Sequence, residues 1–148
     1  MSEIENVEQT RNQLTTNYDV SKFLLGSNAF IDANLTASGD DVALLQGMVM
    51  GRVAATQLLT PADKDATDGS QFPVGLAVVD QTIEDGDTDN VRLVNKGNVA
   101  ESKINFLDTE TLDTLIGPAN NQRSYRDYLN DLGLELMGGE ELTQYDND

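Results

Sequence analysis

Hydrophobic residues fall along this chain in three textures. From Met1 to about Ala29 they are scattered, with Ile4, Val7, Leu14, Tyr18, Val20, Phe23, Leu24 and Leu25 set among Asn, Gln, Thr and Glu. Ser2 and Glu5 have the spacing of a capping box, but Ile4, Val7 and Leu14 make too thin a stripe for a helix. The run Thr15-Thr16-Asn17-Tyr18-Asp19-Val20 favours extension, which predicts an arm that orders on a partner. A merely frayed terminus is the plain alternative.

From about Phe30 to Phe106 the pattern is that of short strands and turns. Phe30-Ile31-Asp32-Ala33-Asn34-Leu35 partly alternates, Ser38-Gly39-Asp40-Asp41 interrupts it, and Met48 to Val53 resumes an apolar run. Leu58 to Pro61 and Val91 to Val94 supply further strands, and Val99 to Phe106 reads as the last. Beyond it the period becomes helical. Asp108 or Thr109 can cap a helix near 108–117 carrying Leu112, Leu115 and Ile116, ended by Gly117-Pro118. Asn120 or Asn121 can cap a second near 121–132, with Tyr125, Tyr128, Leu129 and Leu132 on one face and Gly133 closing it. The reading is an arm over residues 1–29 and one β-rich domain over 30–148, all-β to α+β, of barrel or sandwich type with short C-terminal helices.

The densest local signal is Ala66 to Thr82. Asp68-Gly69 is a turn dipeptide, because Gly accepts positive φ without steric cost and the Asp side chain can bond the backbone ahead of it. Pro73 fixes φ at the mouth of a strand, where a missing N–H does least harm. Val74 to Val79 is almost wholly apolar and bounded by turn signals, as in a strand buried on both faces, although periodicity alone also admits a helix. Gly75 inside it implies a bulge or a close approach of another backbone.

In order and spacing, the middle of the chain, from about Leu45 to about Phe106, resembles the lambda-type head decoration proteins of tailed phages. That family joins a Thr-Asp-Gly turn to a Val-Gly-[Ile/Leu]-Ala-Val strand, a short loop, a second strand and a Lys-Gly or Lys-Ser-Gly turn. Here these parts read Thr67-Asp68-Gly69, Val74-Gly75-Leu76-Ala77-Val78, Asp80-Gln81-Thr82, Val91-Arg92-Leu93-Val94 and Lys96-Gly97. The resemblance implies a compact β domain and a homotrimer seated outside the expanded head shell near local three-fold positions. It also implies an N-terminal arm that extends a sheet of the major capsid protein, a mode in which main-chain bonds give affinity and alternate side chains set register. No arm residue matches a family motif; Leu14, Thr15, Thr16, Tyr18 and Val20 are the arm's candidate capsid contacts. A tail-tube or head-fibre component, or an unrelated acidic binding domain, is the alternative.

Composition narrows what else the chain can do. With 148 residues, 39% of them hydrophobic, and no long apolar run, it reads as one soluble domain without a membrane span. Its Ser-Glu-Ile-Glu start is unlike a signal peptide. Zero Cys excludes disulfides and thiol chemistry and fits assembly in a reducing host cytoplasm. Zero His removes Ser-His-Asp and Cys-His nucleophile systems and the common zinc sites. The glycine-rich nucleotide-binding motifs are missing as well. The balance of 26 acidic to 9 basic residues, net −17, disfavours nucleic acid, whose affinity depends on Lys and Arg neutralising phosphates. After Arg126 the chain carries only acids: Asp127, Asp131, Glu135, Glu140, Glu141, Asp146 and Asp148. They form either an acidic docking face or a solvated surface.

Two acidic clusters are candidates for metal sites. Asp85, Asp87 and Asp89 occupy the first, third and fifth positions of a calcium loop, but Asn90 stands where that loop needs Gly and Lys96 where it needs Glu. The stretch suits a hairpin loop instead. Asp63, Asp65 and Asp68 fit no better. Asn34-Leu35-Thr36 matches the glycosylation pattern, by chance if the chain is not exported. Paired-carboxylate hydrolysis is the one enzymatic class left, and a chain with 5% aromatics and no Trp offers little to build a carbohydrate site. The chain is read as no enzyme, with no cofactor, metal or small-molecule substrate.

Overall fold

The computed structural model describes residues 22–107 and 109–138, and the arm positions Leu14, Thr15, Thr16, Tyr18 and Val20 lie outside them. In chain order the described elements are β1 (Ala29–Thr36), β2 (Val42–Leu44), β3 (Val49–Arg52), β4 (Leu59–Pro61), β5 (Pro73–Ala77), β6 (Gln81–Ile83), β7 (Thr88–Ala100), β8 (Leu115–Ile116), β9 (Arg123–Ser124), α1 (Tyr125–Leu132) and β10 (Leu134–Met137). A 3-10 turn, Glu101–Lys103, follows β7.

The main sheet has the order β1-β7-β5-β3-β4, antiparallel throughout, and β10 joins the end of β7 in parallel. Side chains alternate across a strand, so neighbouring residues enter different cores. Val49, Leu76 and Val94 face one cluster, covered by Ile116 of β8 and by Tyr125 and Leu129 of α1. Met50, Ala77 and Leu93 face the other, covered by Leu44 of β2 and Ile83 of β6. The sheet is therefore the middle of three layers. This explains why β5, in its centre, is apolar at nearly every position. The edge strands β1 and β4 lie close to each other, but no ladder joins them and the sheet does not close into a barrel.

β7 is 13 residues long and organises the fold. Its pairing with β1 shifts between Ala29↔Lys96 and Phe30↔Val94, leaving Asn95 as a bulge. The extra residue reverses the inward alternation. Val99 consequently faces the same cluster as Val94.

Several elements differ from the sequence expectation. Lys96-Gly97 is not a turn, because β7 runs through it to Ala100, with Gly97 at φ 114° as a kink. Val99 to Phe106 is not a separate strand: Val99 and Ala100 end β7, and the chain then turns. No helix occupies 109–117. Thr114 N–H bonds Thr111 C=O in a single turn, after which Leu115–Ile116 pairs with Arg123–Ser124 around Gly117-Pro118. Threonine-rich sequence and a proline two residues past Ile116 favour this hairpin over helix. The second helix begins at Tyr125 rather than near 121, since Ser124 supplies the cap by accepting the Asp127 N–H at 3.2 Å. Gly133 closes it at φ 110°. The Asp85 loop joins two strands that are not each other's partners: β6 pairs with β2, and β7 with β1 and β5.

Candidate functional site

The residues of the central motif each solve a local packing problem. Asp68 Oδ1 accepts from Ser70 N–H at 3.0 Å and from Ser70 Oγ at 2.6 Å, and the Ser70 hydroxyl, then its N–H, hold the carboxyl below its ordinary value. Gly69 follows at φ 101°, and the turn lies across β3 so closely that a Cβ on Gly51 would sit 2.0 Å from Ser70 C=O. Pro73 then opens β5 opposite Gly51, and the β3–β5 register shifts there, so the expected bulge is present. A Cβ on Gly75 would lie 2.9 Å from Leu93 Cβ and 3.0 Å from Val94 C=O, so the expected close approach is present too. Val74, beside it, packs against the second core cluster.

At the far end of β7, Lys96 and Gly97 meet the segment that leads into β1. Gly97 N–H donates to Gly133 C=O on the β10 side at 3.1 Å. On the opposite edge, Ala100 N–H donates to Phe23 C=O at 2.9 Å and Leu25 N–H to Asn98 C=O at 3.0 Å. Residues 23–25 thus run antiparallel along the end of β7, and Leu24 bridges Val99. The structure does not draw the motif residues into one cluster: the Asp68 turn and Gly75 belong to the β3–β5 side and Gly97 to the root of the arm.

The acidic clusters are engaged with backbone. Asp85 Oδ1 accepts from Gly39 N–H and Asp41 Oδ1 from Asp85 N–H, each at 2.8 Å, which lashes two turns together. Asp63 Oδ1 accepts from Asp65 N–H at 2.9 Å. Among the described residues no group of three or more acids is arranged to hold a metal ion. A hollow of about 450 Å³ beside Asp63, Lys64, Asp65, Leu107, Thr109 and Glu110 is walled mainly by polar groups. Among the described residues, four cations sit in ion pairs: Lys64 with Asp65, Arg92 with Asp32, Arg123 with Asp131, and Arg126 with both Glu101 and Asp113. Among the described residues no helix is long and apolar enough to cross a membrane.

Two features carry no strong sequence signal. One is Glu110, only 7% exposed, which accepts from Tyr125 Oη and from Lys64 N–H. The other is Phe23, 3% exposed, which the sequence shows only as the first of three adjacent apolar residues. No curated protein matches the chain. The family of the bacteriophage lambda head decoration protein D matches residues 14–122, well over half of the chain, from the candidate arm contact Leu14 to just before β9. This chain of strand-and-turn motifs built into a β-rich domain belongs to that family of phage capsid structural proteins.

Proposed function

We propose that the protein binds the outer surface of the expanded phage head as a homotrimer, bridges neighbouring major capsid protein subunits and stabilises the shell. The observation that carries this reading is the family match, which includes the arm positions Leu14, Thr15, Thr16, Tyr18 and Val20 together with the β domain. Residues 1–29 carry the capsid-binding arm, whose part before Phe23 adds a strand to a sheet of the capsid protein. Residues 30–148 are the body that spaces the arms.

The mechanism is mechanical and thermodynamic. Each bound copy stabilises whichever shell state it binds better, by mass action. Preference for the expanded shell follows if the receiving sheet edge and the neighbouring subunit surfaces align only after expansion. A net charge of −17 disfavours nucleic acid as a partner. No chemistry on a small molecule or contact with a membrane enters this account.

The test is co-sedimentation of the purified protein with expanded and unexpanded empty capsids of its parental phage, with solution mass measured alongside. Saturable binding to expanded shells alone, by a particle of three times the chain mass, is expected. A chain lacking residues 2–20 should stay folded and lose binding. Polymerisation into rings or tubes would instead favour a tail component.

A further inference from the structure

We propose that residues 23–28 are a strap that anchors and aims the N-terminal arm, with Gly97 as the positioning residue that admits the strap to β7. The functional half of this proposal rests on reading the arm as the capsid tether. The anchoring half stands on geometry alone.

The strap is fixed at both ends. Phe23 is buried among Val99, Tyr125, Leu129 and Leu134, while Lys22 before it and Gly26 and Ser27 after it are exposed. Its C=O accepts from Ala100 N–H, and Leu25 N–H returns a bond to Asn98 C=O. At the other end Asn28 Nδ2 reaches Asn98 C=O at 3.2 Å and Lys96 C=O at 3.5 Å. Between these points the strap crosses Gly97. A Cβ there would stand 2.4 Å from Ser27 C=O and 2.9 Å from Asn28 Cα, both backbone atoms that cannot swing aside.

The Lys96-Gly97 pair, expected as a turn, therefore serves a different end. It kinks β7 and leaves the space through which the chain entering β1 is laid down. The direction follows: the strap is antiparallel to β7, so its first residue, Phe23, lies at the Ala100 end. The strap pairs with the last residues of β7, while the long β1–β7 ladder begins only at Ala29↔Lys96.

The experiment uses the full-length chain and its Asn28→Ala, Phe23→Ala and Gly97→Ala variants. Asn28→Ala is decisive, because it removes two strap bonds and leaves both core clusters untouched. Two readouts are taken: the rate of tryptic cleavage at the Lys22–Phe23 bond, identified by mass, and binding to expanded empty capsids. Cleavage requires local opening, so its rate reports release of the strap and not global unfolding. The expected result for Asn28→Ala is an unchanged unfolding midpoint, about tenfold faster cleavage at Lys22 and about tenfold weaker capsid binding, despite an intact arm sequence. Phe23→Ala should exceed it in cleavage rate, and Gly97→Ala should match it wherever that variant folds. Unchanged cleavage overturns the anchor. Faster cleavage with undiminished binding overturns the aiming role. Faster cleavage with no capsid binding even by the unsubstituted chain supports the anchor and removes the capsid reading.

Discussion

Tyr125 Oη donates to Glu110 Oε1 at 2.5 Å, and the ring it belongs to is fully buried. Glu110 also accepts the Lys64 N–H at 3.1 Å, so one carboxylate ties the start of α1 to the loop after β4. Phe106 packs on the same ring at 5.5 Å between centroids. Replacing Tyr125 by Phe keeps that packing and deprives a buried acid of one donor. The expected cost is about 1–3 kcal/mol, seen as a fall in Tm of about 2–4 °C per kcal/mol. A stability equal to the unsubstituted chain would show that the bond is energetically idle.

The same site sets an alkaline limit. Burial first, and the Glu110 bond second, push the Tyr125 phenol far above its ordinary value. The folded value exceeds the unfolded value of about 10. The associated stability is therefore complete below about pH 10 and is lost as pH rises toward the folded value. Denaturant midpoints measured across that range should fall with pH, and Tyr125→Phe should fall less steeply. In an ultraviolet phenolate titration, Tyr125 should ionise only together with unfolding.

Asp68 works in the opposite direction. Its carboxyl is held low by the Ser70 hydroxyl and N–H, so its contribution is present above the unfolded value of about 3.9 and disappears as pH falls through the folded one. Asp68→Asn should be less stable at neutral pH, and the gap should close on acidification. A gap independent of pH would mean that the turn depends on shape alone.

Gly75 has no room for a side chain. A methyl group would press on Leu93 Cβ and Val94 C=O in the centre of the sheet, where neither neighbour can retreat. Gly75→Ala should cost about 1–3 kcal/mol by overpacking. Gly138→Ala, at a position with no atom within 4 Å of the new Cβ and no positive φ, should cost less. Equal urea midpoints for the two variants would contradict this ranking.

The family match ends at residue 122, yet Tyr125, Leu129 and Leu134 beyond it are core residues. A chain ending at Gln122 should fail to fold. Leu129→Ala, which leaves a cavity at a fully buried position, should fold with a loss of about 2–5 kcal/mol. A stable, cooperative truncation would show that the first core cluster closes without α1.

What the sequence displayed, and what it hid, follow from the range of the forces involved. The β5 run was visible because a strand covered on both faces must be apolar at adjacent positions. The Asp68-Gly69 turn and the Gly133 stop were visible because their chemistry is local. Gly97 looks like a turn in the sequence because positive φ marks a kink as well as a turn, and only the Ser27–Asn28 backbone passing over it distinguishes them. The supposed helix at 108–117 had apolar spacing that a turn and a two-residue strand also satisfy. The Phe23 anchor and the Glu110–Tyr125 bond depend on residues far apart in the chain, and no local pattern announces them.

The antiparallel course of residues 23–25 along β7 decides how the joint would yield under tension. A pull on the arm directed along β7 loads the Phe23–Ala100 and Leu25–Asn98 bonds together, in shear, and must drag the buried Phe23 ring out at the same time. A pull at right angles opens them one after another, like a zipper. The joint is therefore strong along its own axis and releasable across it.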